Sequence, residues 1–238
     1  MQNQQNQQNQ QNQQNQQTMQ HLVITGGNKG IGLSLVQHYL ALGHQVSVIC
    51  RHSSPELAAL NVRVYCGVDL ADPLQVQAVA AEFAAASVNV LINNAGIFSQ
   101  ESLQDFSPER VMAQFQVNAL APLLLSQAML PSLRAGSKIA MITSRMGSIS
   151  DNSSGGYYGY RMAKAALNAG AVSLARDLQA KKIAVGIYHP GFVQTQMVAF
   201  AGDISPTEAA KRLATRISEL SLTNSGRFYH SNGTELPW

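Results

Sequence analysis

Near the start of the chain, a short apolar run, His21-Leu-Val-Ile24, passes at once into Thr25-Gly-Gly-Asn-Lys-Gly-Ile-Gly32, and an amphipathic helical pattern follows to about Leu42, closed by Gly43. Strand, glycine-rich turn and helix in that order aim free backbone N–H groups and the positive end of a helix dipole at one point, an arrangement that suits a diphosphate. Gly26 permits the tight turn, Gly30 lets backbone approach a phosphate, and Gly32 allows the helix to pack closely. The spacing is G-x-x-x-G-x-G rather than the usual G-x-G-x-x-G. The argument therefore rests on the strand before it and the helix after it.

The same alternation continues along the chain. Strand patterns fall at Gln45–Cys50, Val62–Val68, Val88–Ile92, Ile139–Ile142, Ile183–Tyr188 and Arg227–His230, with helical stretches between most of them. Alternating strands and helices predict an α/β fold of Rossmann type: a doubly wound parallel sheet of about seven strands, helices on both faces, and a ligand at the strands' C-terminal ends. A chain of 238 residues with 45% hydrophobic content is suited to one domain with a full core. Met1 to Gln17 is a repeated Asn-Gln-Gln tract that cannot build a core. Residues 1–19 are expected to be a disordered tail and 20–238 the folded domain. Ser107, before Pro108, is the N-cap of a long helix, and Ser205 with Glu208 predicts a capping box.

The chemistry gathers at strand ends. Tyr160 and Lys164 are four residues apart on a predicted helix, so they emerge from one face, a turn apart. A phenol with a pKa of about 10 is a poor proton donor or acceptor at neutral pH, and a neighbouring ammonium is expected to pull it towards the working range. Ser144 ends the apolar run at Ile139–Ile142 and offers a hydroxyl. Asn118, polar within a long helix, either satisfies backbone groups or holds a water leading to Lys164. Asp69 and Leu70 end the third strand; the Asp69 carboxylate can accept from an adenine amino group or cap the helix that begins near Pro73. Small residues within Asn93-Asn94-Ala95-Gly96 let a ribose lie against backbone after the fourth strand. Pro190, Gly191, Val193 and Thr195 follow the sixth, and Phe192 to Ile204 reads as an apolar flap. Where an NAD site would carry Asp or Glu after the second strand, this chain has Cys50 and Arg51. With Lys29 inside the glycine turn, two cations are expected to converge on a 2′-phosphate, predicting NADP(H) over NAD(H).

The net charge of +3, without a basic block, implies neither nucleic acid nor an anionic membrane. No apolar run reaches spanning length and no hydrophobic signal region opens the chain, so the cytoplasm is the expected location. Cys50 and Cys66 lack metal-ligand spacing; no metal is expected, and both are read as small apolar core residues.

This ordered set resembles the short-chain dehydrogenase/reductase family from about His21 to the C-terminus. The resemblance implies a glycine motif at Gly26, Gly30 and Gly32, an adenine-side Asp69, and an Asn93–Gly96 motif. It also implies a structural and proton-relay Asn118, a catalytic Ser144, Tyr160 and Lys164, and a Pro190-Gly191 motif followed by Thr195. Asn28, Lys29, Ile31, Arg51, Leu70 and Val193 complete the implied cofactor set, which Tyr160 and Lys164 share. The gap between Ser144 and Tyr160 is longer than the family's commonest. Tyr157 or Ser148 would shorten it, but only Tyr160 has a lysine four residues on, and an inserted loop at Asp151–Gly155 absorbs the difference. Gly155–Arg161, the His189-Pro-Gly-Phe-Val segment and Gly226-Arg-Phe228 resemble the C-factor and sniffer-type carbonyl reductases. The implied activity is NADPH-dependent hydride transfer between nicotinamide C4 and a small carbonyl or alcohol. The alternative is a cofactor-binding signalling protein of C-factor type with little turnover. Family members are often homo-oligomers, dimers or tetramers.

Overall fold

A computed structural model describes residues 19–238; the Asn-Gln-Gln tract and the disorder expected of it lie outside the described residues. The element order is β1 (His21–Thr25), α1 (Gly30–Ala41), β2 (Gln45–Ile49), α2 (Pro55–Ala58), β3 (Arg63–Tyr65), α3 (Pro73–Ala81), β4 (Val88–Asn93) and α4 (Pro108–Phe115). A π-helical turn at Gln116–Leu120 joins α4 to α5 (Ala121–Ala128). Then come β5 (Leu133–Ile142), α6 (Tyr158–Asp177), β6 (Ala184–His189), α7 (Pro206–Glu219) and β7 (Phe228–His230).

The seven strands form one sheet in the order β3-β2-β1-β4-β5-β6-β7, and every pairing is parallel. Parallel strands with both faces covered read as apolar runs, and Leu22, Val23 and Ile24 are all fully buried. Alternation divides them between two layers. Val23, Leu91, Ile139 and Val185 pack on one side with Phe83, Leu125 and Leu167. Leu22, Ile24, Val90 and Ala140 pack on the other with Leu35, Val36 and Leu213. The chain reverses direction across the sheet between β1 and β4, and ligands of open α/β sheets bind at the C-terminal side of that switch.

Several boundaries differ from expectation. β3 spans only three residues, because Cys66 and Gly67 leave the ladder. The capping box of α7 is half formed: Ser205 Oγ accepts from Glu208 N at 3.1 Å, but the Glu208 carboxylate turns to Arg212 Nε at 2.6 Å. Ser107 caps α4 as expected, accepting from Arg110 N at 3.2 Å. Cys50 is buried but Cys66 is exposed, which corrects the reading of both as core: past the end of β3, nothing covers the second thiol.

Candidate active site

At the switch, β1 and β4 are tied by one side chain. Thr25 Oγ1 accepts from Asn94 N and from Ala95 N, both at 3.0 Å. Asn94 Nδ2 donates to the carbonyls of Thr25 and Gly26 at 3.0 and 3.3 Å. The glycine turn is thereby pressed against the end of β4. Gly26 has φ +67°, and a Cβ there would stand 3.0 Å from Ala95 Cα; a Cβ on Gly32 would meet Gly26 O at 2.1 Å. Helix α1 starts with no side-chain cap and no acidic residue in its first turn, so its leading N–H groups face the cleft without a protein acceptor. Gly96 keeps the far wall open, since a Cβ there would stand 3.2 Å from Asn118 Oδ1 and 3.9 Å from Lys164 Nζ. A floor of backbone, a free helix N-terminus and glycines that leave no side chain in the way suit the diphosphate and ribose of a dinucleotide.

The other expected cofactor positions divide. Asn28 and Ile31 are half-buried in the turn. Asn93 is turned into the core, where Nδ2 donates to Ser126 Oγ at 3.1 Å and lies 3.4 Å from Met141 Sδ, so its amide supports the sheet and not the cleft. Asp69 accepts from Ala71 N at 3.0 Å; the cap of α3 is Asp72, which takes Leu74 N at 2.9 Å. Leu70 packs on the core. Arg51 is exposed beyond β2 and has no carboxylate partner among the described residues. Lys29 Nζ instead donates to Gln196 Oε1 at 3.0 Å, spanning from the glycine turn to the segment after β6. Lys29 and Arg51 are both exposed, the lysine at the glycine turn and the arginine just past β2. Pro190 and Val193 are buried, Gly191 has φ +100°, and Thr195 Cγ2 lies where a Cβ on Gly30 would be 3.3 Å away.

Ser144, Tyr160 and Lys164 meet at the end of β5. Ser144 caps a short 3₁₀ turn, Arg145–Gly147, its Oγ accepting from Met146 N at 3.2 Å, which leaves its O–H free to donate. Tyr160 and Lys164 lie on α6, and Lys164 Nζ sits 5.7 Å from the Tyr160 ring centroid. Lys164 is 4% exposed and donates to Ile142 O at 2.9 Å. Burial holds its ammonium down, to about 8. Tyr160 is half-buried, and burial pushes the phenol up to about 12, with the neighbouring Ser144 hydroxyl working the other way. This corrects the expectation that the lysine draws the phenol down. Removing a phenolate from water costs more than this lysine, itself desolvated and engaged by Ile142, returns.

Residues 20–205 match the family described as short chain dehydrogenase. The chain belongs to that family. It is 34% identical over 226 residues to 1-hydroxy-2-glutathionyl-2-methyl-3-butene dehydrogenase of Rhodococcus sp., covering 92% of this chain and 100% of that one. It is 41% identical over 154 residues to C-signal of Myxococcus xanthus, covering 63% and 93%. An NADPH-bound carbonyl reductase from chicken fatty liver superposes with a TM-score of 0.85 at 30% identity, covering 92% and 99%. Both sides of the subgroup resemblance, C-factor and carbonyl reductase, are thus met.

In this short-chain dehydrogenase, Asn118 sits in the π turn, fully buried. Its Nδ2 donates to Ile97 O and its Oδ1 accepts from Ile97 N, each at 2.8 Å. Its amide thus satisfies backbone groups and straps the chain after Gly96 against α4. π turns of this kind gather at functional sites because they re-aim one side chain within a helix. Two contributors carried no sequence signal. Phe98 stacks on Tyr157, centroids 5.6 Å apart, and meets Tyr160 edge-on at 5.0 Å. Glu101, its side chain fully buried, accepts from Gly159 N at 3.1 Å and Gln114 Nε2 at 3.0 Å, and bonds Ser99 Oγ. It supplies the first turn of α6 with the anion that Tyr157, in the left-handed region at φ 54°, does not. Phe192 to Ile204 is an excursion pinned at its base by Asp203 N to Phe192 O at 2.8 Å and Gln194 N to Ile204 O at 2.9 Å. Its tip exposes Met197 and Phe200.

Proposed function

We propose that this chain is an NADPH-dependent carbonyl reductase in which Tyr160 is the proton donor. The observation that carries the reading is the pairing of half-buried Tyr160 with buried Lys164 one turn on, Nζ 5.7 Å from the phenol ring, beside Ser144 at the end of β5. A phenol that keeps its proton can deliver it to the oxygen of a carbonyl being reduced, and the Ser144 O–H can steady the charge growing there. Lys164 supplies a positive charge beside that oxygen. Asn118 fixes the strand-end backbone that faces it. When bound, the dinucleotide supplies the hydride. Gly26, Asn28, Gly30, Ile31 and Gly32 would hold its diphosphate, Asp69 and Leu70 its adenine side, and Asn94, Ala95 and Gly96 its ribose. Pro190, Gly191, Val193 and Thr195 would hold its carboxamide. Arg51, unpaired where an NAD site would carry an acid, favours a 2′-phosphate, and the NADPH in the chicken carbonyl reductase supports the same preference. Phe98, Tyr157, Met197 and Phe200 favour a mixed apolar and aromatic carbonyl substrate. Exposed Met112, Phe115, Leu120 and Met162 on α4, the π turn and α6 favour a homo-oligomer through that face.

The identity with C-signal supports a second reading, a cofactor-binding signalling protein. The two separate on turnover. Titration with NADPH and NADH, then a carbonyl panel, should give preferential NADPH binding and reduction that vanishes in Tyr160→Phe while NADPH still binds. Tight NADPH binding with no turnover moves the weight to signalling; ordinary activity in Tyr160→Phe removes that residue from its role.

A further inference from the structure

β2 and β3 end side by side, and each is followed at once by a cysteine. Ile49 and Tyr65 are register partners, so Cys50 and Cys66 come next along the two strands. Cys50 N donates to Tyr65 O at 3.0 Å and Val68 N to Cys50 O at 3.2 Å, so the two chains stay bonded to each other where the regular ladder ends. Val48 and Val64 face one core layer while Ile49 and Tyr65 face the other, and alternation then turns Cys50 to the Val48 side, with Cys66 following Tyr65 at the adjacent strand end. Neighbouring strands lie about 4.8 Å apart, inside the window of about 4.4–6.8 Å that a disulfide requires between Cα atoms. The Cys66 thiol is exposed, neighbours Cys50 closely enough to raise its thiol pKa, and donates to Arg51 O at 3.5 Å. Gly67 N donates to the same carbonyl at 3.0 Å.

We propose that Cys50 and Cys66 form a dithiol site that a small disulfide such as glutathione disulfide closes to an intramolecular bond, and that closure weakens NADPH binding at the adjacent Arg51. The exposed Cys66, as thiolate, attacks one sulfur of glutathione disulfide. That S–S bond breaks, and the departing glutathione thiolate takes up a proton equal to the one Cys66 released. Cys50 then gives up its proton and attacks the Cys66 sulfur, expelling the second glutathione. Two protein thiols become one disulfide, and one glutathione disulfide becomes two glutathiones. Burial, with the neighbouring Cys66 thiol, pushes the Cys50 thiol up to about 11, which keeps it protonated and leaves the first attack to the exposed Cys66. Closure removes the S–H donor from Arg51 O and ties Cys66 to β2, so the turn that presents the Arg51 guanidinium must shift. The effect on binding rests on reading that corner as the 2′-phosphate site; the thiol chemistry does not.

The full chain is incubated with glutathione disulfide or with glutathione, and intact mass, free-thiol count and NADPH affinity are measured on the monomer. The oxidised wild type should lose two hydrogens and both free thiols, reversibly with dithiothreitol. Its NADPH affinity should fall on the order of tenfold, the cost of displacing one charge-assisted hydrogen bond. Cys66→Ser, altered at an exposed position, should keep its Cys50 thiol and the same NADPH affinity under both treatments. Both thiols surviving, a lasting glutathione adduct, or a disulfide between two chains would overturn the proposal. So would a closed intramolecular bond that leaves NADPH affinity unchanged. Reduced protein that binds neither NADPH nor NADH would defeat the cofactor reading, and the mass and thiol counts would still decide whether the disulfide forms.

Discussion

Tyr160 and Lys164 are displaced from their ordinary pKa values by one cause, in opposite senses: each is held towards its neutral form because burial penalises charge. The phenol, pushed up to about 12, stays protonated across the accessible range, which fits the donor role proposed for it. The lysine, held down to about 8, is charged below that pH and neutral above it. Reduction requires both the donor and the positive charge beside the nascent alkoxide. kcat/KM for carbonyl reduction is therefore expected to be level below pH 8 and to fall as pH rises through it, by about tenfold per unit for one essential proton. A pH–rate profile measured with NADPH checks this, and a profile still level well above pH 8 would take Lys164 out of that role. The pairing of Tyr160 with Lys164 was legible in the sequence, because the two are four residues apart on one helix. The sense of the Tyr160 pKa shift was not, because desolvation depends on what the fold packs around the ring, which no spacing reports.

At the scale of elements, helix starts divide by where their anion or acceptor comes from. Ser107 and Ser205 are adjacent to the helices they cap and could be read directly from the chain. Glu101 lies 58 residues before Gly159, inside a polar stretch that reads as loop, and only the packing of α4 against α6 delivers it. For the same reason the π turn at Asn118 was hidden: a mid-helix asparagine announces a need for partners, but the partner, Ile97, belongs to another segment. Glu101→Ala leaves Gly159 N and Gln114 Nε2 buried without an acceptor, and should lower unfolding free energy by about 3 kcal/mol. Because Gly159 immediately precedes Tyr160, kcat should fall more than NADPH affinity. Denaturant melts with paired kcat and Kd measurements test both parts; wild-type stability in Glu101→Ala would show that the carboxylate is dispensable to α6.

Across the whole molecule, alternation foretold a parallel sheet with the site at its C-terminal edge, and β3-β2-β1-β4-β5-β6-β7 is one such sheet. What happens between neighbouring strand ends was not foretold, since it depends on which strands lie side by side. β6 and β7 do, and they bring His189 against His230, ring centroids 4.9 Å apart and near perpendicular. His189 Nδ1 is buried without a protein partner, and burial, with His230 and Arg145 adding like charge, holds the ring down to about 3 from an ordinary 6.5. Between those two values the unfolded chain binds a proton at this position that the folded chain does not. Stability should therefore rise with pH across the window and be lost on acidification below 6.5. His21, His38, His44 and His230 are lowered in the same sense, so they add to the slope. Thermal melts at about pH 7 and about pH 5, still above the carboxylate range, isolate the histidines. The wild-type melting temperature should drop between the two, and His189→Asn, which keeps a polar group but cannot protonate there, should drop less. An equal drop in both proteins would mean that His189 is protonated in the folded state and that the β6–β7 edge opens to accommodate it.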